Sequence, residues 1–200
     1  MPIKSLNIQA ITHQPWIYDL IQRCVGADLV RRHLKNIIRD YGAGTLVVDI
    51  GGGTGLNYEL VSDDACYICL DFDSRKLKWY LKNHMTGDVV QADALELPIA
   101  NRSIDVVLCT AVSHHISGNF IDLFFAESSR IIRPEGIIIF LDSIWNPSRR
   151  IGRLLWRYDQ GSFPRTAETL LELLDKYFLI QYFERFSILH EYFIIIGKVT

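Results

Sequence analysis

Apolar positions along the chain fall into short continuous runs separated by segments of helical period. The runs cover residues 45–50, 66–70, 89–91, 104–109 and 137–141, the length of strands buried on both faces. Between them lie a short segment at 56–61, a helix predicted over 75–84 and stopped by Gly87, and another over 119–132 stopped by Pro134 and Gly136. Strands alternating with helices predict a parallel sheet. The pattern then changes: a helix over 167–177, with Thr166 as N-cap and Glu168 in its first turn, precedes two long apolar runs at 178–189 and 191–198. Too little chain separates those runs for a crossover, so they predict an antiparallel hairpin. The expected fold is α/β, a mostly parallel seven-stranded sheet that closes with that hairpin. Residues 15–41 read as one or two helices interrupted near Gly26.

The first strand carries the most informative feature. Leu46-Val47-Val48-Asp49-Ile50 runs directly into Gly51-Gly52-Gly53-Thr54-Gly55, and glycines after a buried strand let the chain turn sharply and a ligand approach closely. A dinucleotide fingerprint needs glycines at relative positions 1, 3 and 6, but position 56 is Leu56, which disfavours a nicotinamide or flavin cofactor. Asp71, near the end of the next strand, is placed where a carboxylate reaches a vicinal diol with two acceptor oxygens. Either Asp71 or Asp73 can instead cap the helix beginning near Ser74, and Asp93 can be a turn residue.

The loop with Asp49, the stretch Leu70-Asp71-Phe72-Asp73-Ser74, the block Val89-Val90-Gln91-Ala92-Asp93-Ala94-Leu95-Glu96-Leu97-Pro98, and Asp105-Val106-Val107 together resemble the class I S-adenosylmethionine-dependent methyltransferases. The resemblance spans roughly residues 45–143 and implies a Rossmann-like three-layer sandwich. It also implies that Gly51 to Gly55 pass under the methionine part of the cofactor, that Asp71 takes the ribose hydroxyls, and that Asp93 faces the adenine amino group. Phe72 and Ala94 join the cofactor set beside those acids, and Thr110 and Ala111 lie against the cofactor through their backbone. The product is S-adenosylhomocysteine. The whole chain, 1–200, is expected to form one domain: an N-terminal helical cap (1–44), a cofactor-binding core (45–143), a substrate lid (144–165), and a C-terminal helix and hairpin (166–200). Trp16, Tyr18 and Tyr41 in the cap either touch cofactor or substrate, with Tyr18 favoured, or pack the helix onto the sheet. Two other classes fit less of the pattern: a non-catalytic module that binds the cofactor or its product, and a nicotinamide oxidoreductase with an unusual loop.

Composition narrows the partners. With 200 residues, 49% of them hydrophobic and 12% aromatic, the chain can bury a sizeable core. A formal charge of −2 gives no global field for a polyanion, so nucleic acid is not expected as a partner. Residues 1–14 are mixed rather than a cationic, apolar leader, and no run approaches the roughly 20 apolar residues that span a bilayer, so a cytoplasmic protein without a transmembrane segment is expected. Cys66 and Cys69 have C-x-x-C spacing, but residues three apart on a strand face opposite sides; with Cys24 and Cys109 they read as core residues, and no metal is expected.

Two further stretches carry candidate chemistry. His114 and His115 directly follow the fourth strand, where ligands of parallel sheets collect. One of them, His114 by preference, is a candidate general base for a hydroxyl or carbon acid; the alternative is a ring that only shapes the pocket. Their adjacent side chains are expected to diverge. Residues 148–158 as a helix place Ile151, Leu154, Leu155 and Tyr158 on one face and Arg149, Arg150, Arg153 and Arg157 opposite, with Trp156 beside the arginines. Such a helix suits an anionic substrate, a peripheral contact with an acidic membrane, a subunit contact or plain solvent; Gly152 and Gly161 would let it move as a lid. The acceptor expected is a small molecule or lipid-like.

Overall fold

The computed structural model describes residues 27–84, 86–158 and 163–200. Trp16, Tyr18 and Cys24 lie outside the described residues, as does Gly161; the side chains of Tyr41 and Tyr158 do too. The elements run α1 (Ala27–Gly42), β1 (Leu46–Ile50), β2 (Cys66–Asp71), α2 (Ser74–Asn83), β3 (Asp88–Gln91), β4 (Ile104–Thr110), α3 (Ile121–Ile131), β5 (Ile132–Ile144), α4 (Arg150–Tyr158), α5 (Ala167–Leu174), β6 (Phe178–Ser187) and β7 (Glu191–Val199). They build one seven-stranded sheet in the order β3-β2-β1-β4-β5-β7-β6. The first five strands are parallel, and β7 inserts antiparallel between β5 and β6.

The sheet is covered on both sides. One apolar cluster joins Val48, Ile50, Val107 and Phe140 to Phe124 and Phe125 of α3 and Leu170 and Leu174 of α5. The other joins Val47, Leu108, Ile139 and Ile194 to Val30, Leu34 and Ile38 of α1 and Leu77 and Tyr80 of α2. Burial on both faces is why the inner strands read as unbroken apolar runs rather than alternating ones. The edge strand β6 departs from that: Leu179, Tyr182 and Phe183 are exposed.

Local differences from the sequence pattern have local causes. The segment after the glycine loop closes only a single 3-10 turn, Tyr58–Leu60, because Val61 is already extended. Strand β5 begins directly after α3, and the stretch with Pro134 and Gly136 makes a register shift, in which Ile104 pairs with Ile132 and Val106 with Ile137. Cys66, the first residue of β2, is exposed rather than in the core as expected, while Cys69 is fully buried.

Candidate functional site

The carboxyl ends of β1, β2, β4 and β5 converge on one edge of the sheet, and the singled-out residues gather there. The glycine loop is tied to β2 through Gly51 N and Gly52 N, both of which donate to the Leu70 carbonyl at 2.7 and 3.0 Å. Gly51 (φ +74°) is packed from behind, since any Cβ there would run into Val112. Gly53 differs. Its φ of +58° excludes most side chains, yet the nearest atoms to a Cβ would be Lys76 Cδ at 3.5 Å and Asp71 Oδ2 at 3.6 Å, which is ordinary contact. A Cβ at Gly53 would therefore meet no clash, and its cost is the left-handed backbone alone.

Asp49 lies beneath this loop, fully buried. Its Oδ2 accepts from Tyr67 Oη at 2.6 Å and Asn57 Nδ2 at 3.1 Å, while Oδ1 has no partner among the described residues. Burial pushes the carboxyl up to about 7; the Tyr67 and Asn57 donors oppose this and the Asp71 charge adds to it. A buried acceptor without a donor is costly, so the arrangement suits a ligand that brings a donor or a cation. Asn57 also donates to Thr110 Oγ1 at 2.7 Å, linking β1 to the end of β4.

The two acids after β2 separate in role. Asp73 caps α2, accepting from Arg75 N at 2.9 Å, and also holds the Arg75 side chain. Asp71 is buried; its Oδ1 accepts from Asp73 N at 2.7 Å, and its Oδ2 is the oxygen turned toward Gly53. Phe72 beside it is 75% exposed, a large apolar ring left in solvent at the rim. Asp93 is exposed, and its Oδ1 accepts from Leu95 N at 2.9 Å in a local turn, with Ala94 half-buried beside it.

Beyond β4 the chain turns through Ala111, a non-glycine at φ +55°, into a 3-10 turn at Ser113–His115. That turn buries His114 against Asp142 of β5, a residue that sequence reading missed. Asp142, fully buried, accepts from Ser113 Oγ at 2.5 Å, His114 N at 3.2 Å and Ser143 N at 2.7 Å, and its Oδ1 lies 2.5 Å from His114 Nδ1. Burial raises the Asp142 carboxyl, but His114 and the hydroxyl and amide donors outweigh it, so the group is held below the usual carboxylate range. An ionised carboxylate only accepts; Nδ1 of His114 is therefore the donor, and in the neutral ring Nε2 is the basic nitrogen. The segment 163–165 straps this turn: Phe163 N donates to the His114 carbonyl at 2.5 Å, and Arg165 donates to the carbonyls of Ser113 and Ile116 at 2.7 and 2.5 Å. The histidine rings do not diverge as expected. Their centroids are 4.1 Å apart, although His114 is buried and His115 exposed.

Helix α4 turns Trp156 inward, not its apolar stripe. Trp156 is 6% exposed, edge-on to His114 (centroids 5.6 Å apart) and to His190 (5.1 Å), whereas Ile151 and Leu154 are outside. Gly152 is buried at the same contact, near the Leu189 carbonyl and His190. Arg149 is also not a free surface cation: it donates to the Ile188 carbonyl at 2.9 Å. The helix thus sits by Gly152 and Trp156 because the surface beneath it is made of rings, His114 and His190, rather than aliphatic core. Burial and the neighbouring charge of His114 depress His190 to about 4, and its Nδ1 has no partner among the described residues.

The chain is similar to known methyltransferases. Residues 48–140 match the model of a methyltransferase domain. Over 129 residues, 62% of this chain and 44% of the relative, it is 33% identical to phthiotriol/phenolphthiotriol dimycocerosates methyltransferase 1 of Mycobacterium ulcerans. Over 105 residues, 51% of this chain and 38% of the relative, it is 31% identical to the fatty-acid O-methyltransferase of Mycolicibacterium smegmatis. The matched stretch is thus less than half the length of either relative. Among solved structures it is similar in fold to a SAM dependent methyltransferase from Archaeoglobus fulgidus (TM-score 0.73, 19% identity, 90% of this chain and 99% of that one). It is also similar to the N-methyltransferase NodS from Bradyrhizobium japonicum in complex with S-adenosyl-L-homocysteine (TM-score 0.71, 13% identity, 86% of each chain). Over residues 48–140 the chain is thus similar to a methyltransferase domain, and its fold is that of solved S-adenosylmethionine-dependent methyltransferases. The residues present fit S-adenosylmethionine: the unpartnered Asp49 oxygen suits a cationic end, and Asp71 Oδ2, turned toward Gly53, suits a diol. Among the described residues no group of three or more His, Cys, Asp or Glu could hold a metal, and no helix is long and apolar enough to cross a membrane.

Proposed function

We propose that the protein methylates a hydroxyl group of a lipid-like acceptor, with S-adenosylmethionine as donor, His114 as general base and Asp142 as the residue that positions it. The cofactor supplies a methyl group already activated on a sulfonium, so the chain's own task is to hold the partners, exclude water and manage one proton. Asp49, Gly51, Gly52, Gly53, Gly55 and Asp71 would hold the methionine and ribose parts. Phe72, Asp93 and Ala94 would border the adenine, and Thr110 and Ala111 would close the pocket from β4.

The observation that carries the acceptor chemistry is the buried Asp142–His114 pair. A carboxylate acceptor is already deprotonated near neutral pH and needs no base, whereas a hydroxyl does. Relatives of this chain are named for both kinds of lipid work, one for phthiotriol dimycocerosates and one for fatty acids. A histidine held in one tautomer by a buried acid favours the hydroxyl. Exposed His115 would serve at the mouth, outside the proton path.

The test is formation of S-adenosylhomocysteine from S-adenosylmethionine with a long-chain alcohol or phenolic lipid and, in parallel, a fatty acid. Turnover of the hydroxyl acceptor that His114→Ala removes supports the proposal. Turnover of the fatty acid alone, untouched by that substitution, overturns the base assignment; cofactor binding with no turnover on any acceptor would make the chain a binding module.

A further inference from the structure

The outward face of α4 has no counterpart in methyl transfer. Ile151 is 59% exposed and Leu154 54% exposed, on a helix whose inward contact is made by Gly152 and Trp156. Arg150, Arg153 and Arg157 are exposed, and among the described residues none of their guanidiniums has an ion-pair partner. At about 100° per residue, the three arginines fall within an arc of about 60°, and Leu154, Ile151 and half-buried Leu155 follow across about 100°. Cationic and apolar arcs thus lie side by side on the solvent surface, while the helix is fixed to the protein from its other side.

We propose that α4 is a docking surface for an anionic phospholipid bilayer, lying in the interface plane with Leu154 and Ile151 entering the acyl boundary and Arg150, Arg153 and Arg157 at the headgroups. Charge complementarity selects this occupant. A second copy of the chain packed through the same face would bring two sets of three arginines together, which opposes a two-fold contact. The chain as a whole is slightly acidic, at −2, so the cationic arc is a local feature and not a reflection of general basicity. Trp156 anchors the same helix edge-on to His114, so docking would set the proposed proton acceptor directly behind the membrane-facing helix. The purpose, delivery of a lipid acceptor, rests on the proposed function; the docking itself does not.

Flotation of the full-length protein with vesicles tests this. The probe vesicles are phosphatidylcholine alone and phosphatidylcholine with one-third phosphatidylglycerol. The wild type is expected to float with the anionic vesicles only, and to be released as salt rises from about 0.1 to 1 M, which shortens the screening length from about 10 to about 3 Å. The combined Arg150→Gln, Arg153→Gln, Arg157→Gln variant should lose on the order of a hundredfold in vesicle affinity. Ile151→Asn with Leu154→Asn should lose at least about tenfold. Cofactor affinity of both variants, measured by titration calorimetry, should match the wild type. Equal binding to both vesicles, no binding to either, variants that bind as tightly as the wild type, or light scattering that gives a dimer undone by the Asn variant would each overturn the proposal. Vesicle binding without turnover supports docking and counts against the lipid-acceptor reading; turnover without vesicle binding overturns docking and leaves that reading standing.

Discussion

Asp142 of β5 and His114 of the turn after β4 meet at 2.5 Å, carboxylate oxygen to ring Nδ1, at the carboxyl ends of two strands that pair in parallel. The contact fixes a tautomer, and with it the nitrogen that can take a proton. Asp142→Asn keeps the shape but offers Nδ1 an amide that can donate as well as accept, so the wrong tautomer becomes available. Turnover of a hydroxyl acceptor should fall by about 10²-fold or more, with cofactor affinity unchanged. A purely structural Asp142 would instead lower stability without altering the pH profile of the turnover that remains, so the rate of S-adenosylhomocysteine formation against pH is the deciding measurement.

The acids after β2 should part in two assays. Asp71→Ala should weaken cofactor binding by about 1 to 3 kcal/mol, because two charge-assisted hydrogen bonds to the ribose would go. Asp73→Ala should leave binding nearly intact and cost about 1 kcal/mol of stability, because it removes the N-cap of α2. Calorimetric titration and thermal melts of both variants check the pattern, and equal losses of affinity would reassign the ribose ligand.

Substitutions in the glycine loop should divide by what each Cβ meets. Gly51→Ala would strike Val112 and should unfold or badly destabilise the protein. Gly53→Ala meets only ordinary contacts, so its cost to folding is the left-handed backbone strain, about 1 to 2 kcal/mol. Its loss of cofactor affinity should far exceed that of any surface substitution, and Gly53→Val should nearly abolish binding. Wild-type affinity in a folded Gly53→Val protein would remove the loop from the cofactor site.

Asp49 makes the unliganded protein sensitive to pH. Its carboxyl is raised from 3.8 to about 7 in the folded chain, so the folded state holds the proton more tightly than the unfolded one. The associated stability is fully present below about pH 4 and is lost as pH rises through about 7, on the order of 4 kcal/mol in all. Asp49→Asn should therefore raise the melting temperature of the unliganded protein at pH 8 relative to the wild type, with the advantage shrinking as pH falls below 7 and gone near pH 4. If the charged carboxylate receives the cationic end of the cofactor, wild-type affinity should also fall as pH drops below 7, while the Asn variant binds weakly at every pH. Melts and titrations across that range check both signs.

Much of the fold is legible in short-range pattern. Continuous apolar runs alternating with helical segments specify a parallel sheet, and two apolar runs too close for a crossover specify the β6–β7 hairpin, because period and connection length are local properties of the chain. The loop from Gly51 to Gly55, the acids Asp71 and Asp73 and the histidines after β4 are legible for the same reason. Only tertiary structure decides which buried groups meet. Asp49 finds Tyr67 and Asn57, and His114 finds Asp142, through strand order and register across 8 to 28 positions of sequence, and no local signal marks such partners. The orientation of α4 is the sharpest case. Its sequence displays an apolar stripe, but the surface that receives the helix consists of His114 and His190, which Trp156 and Gly152 fit better than Ile151 and Leu154 do. An amphipathic pattern states that two faces differ; which face turns inward depends on what the rest of the chain has already placed beneath it.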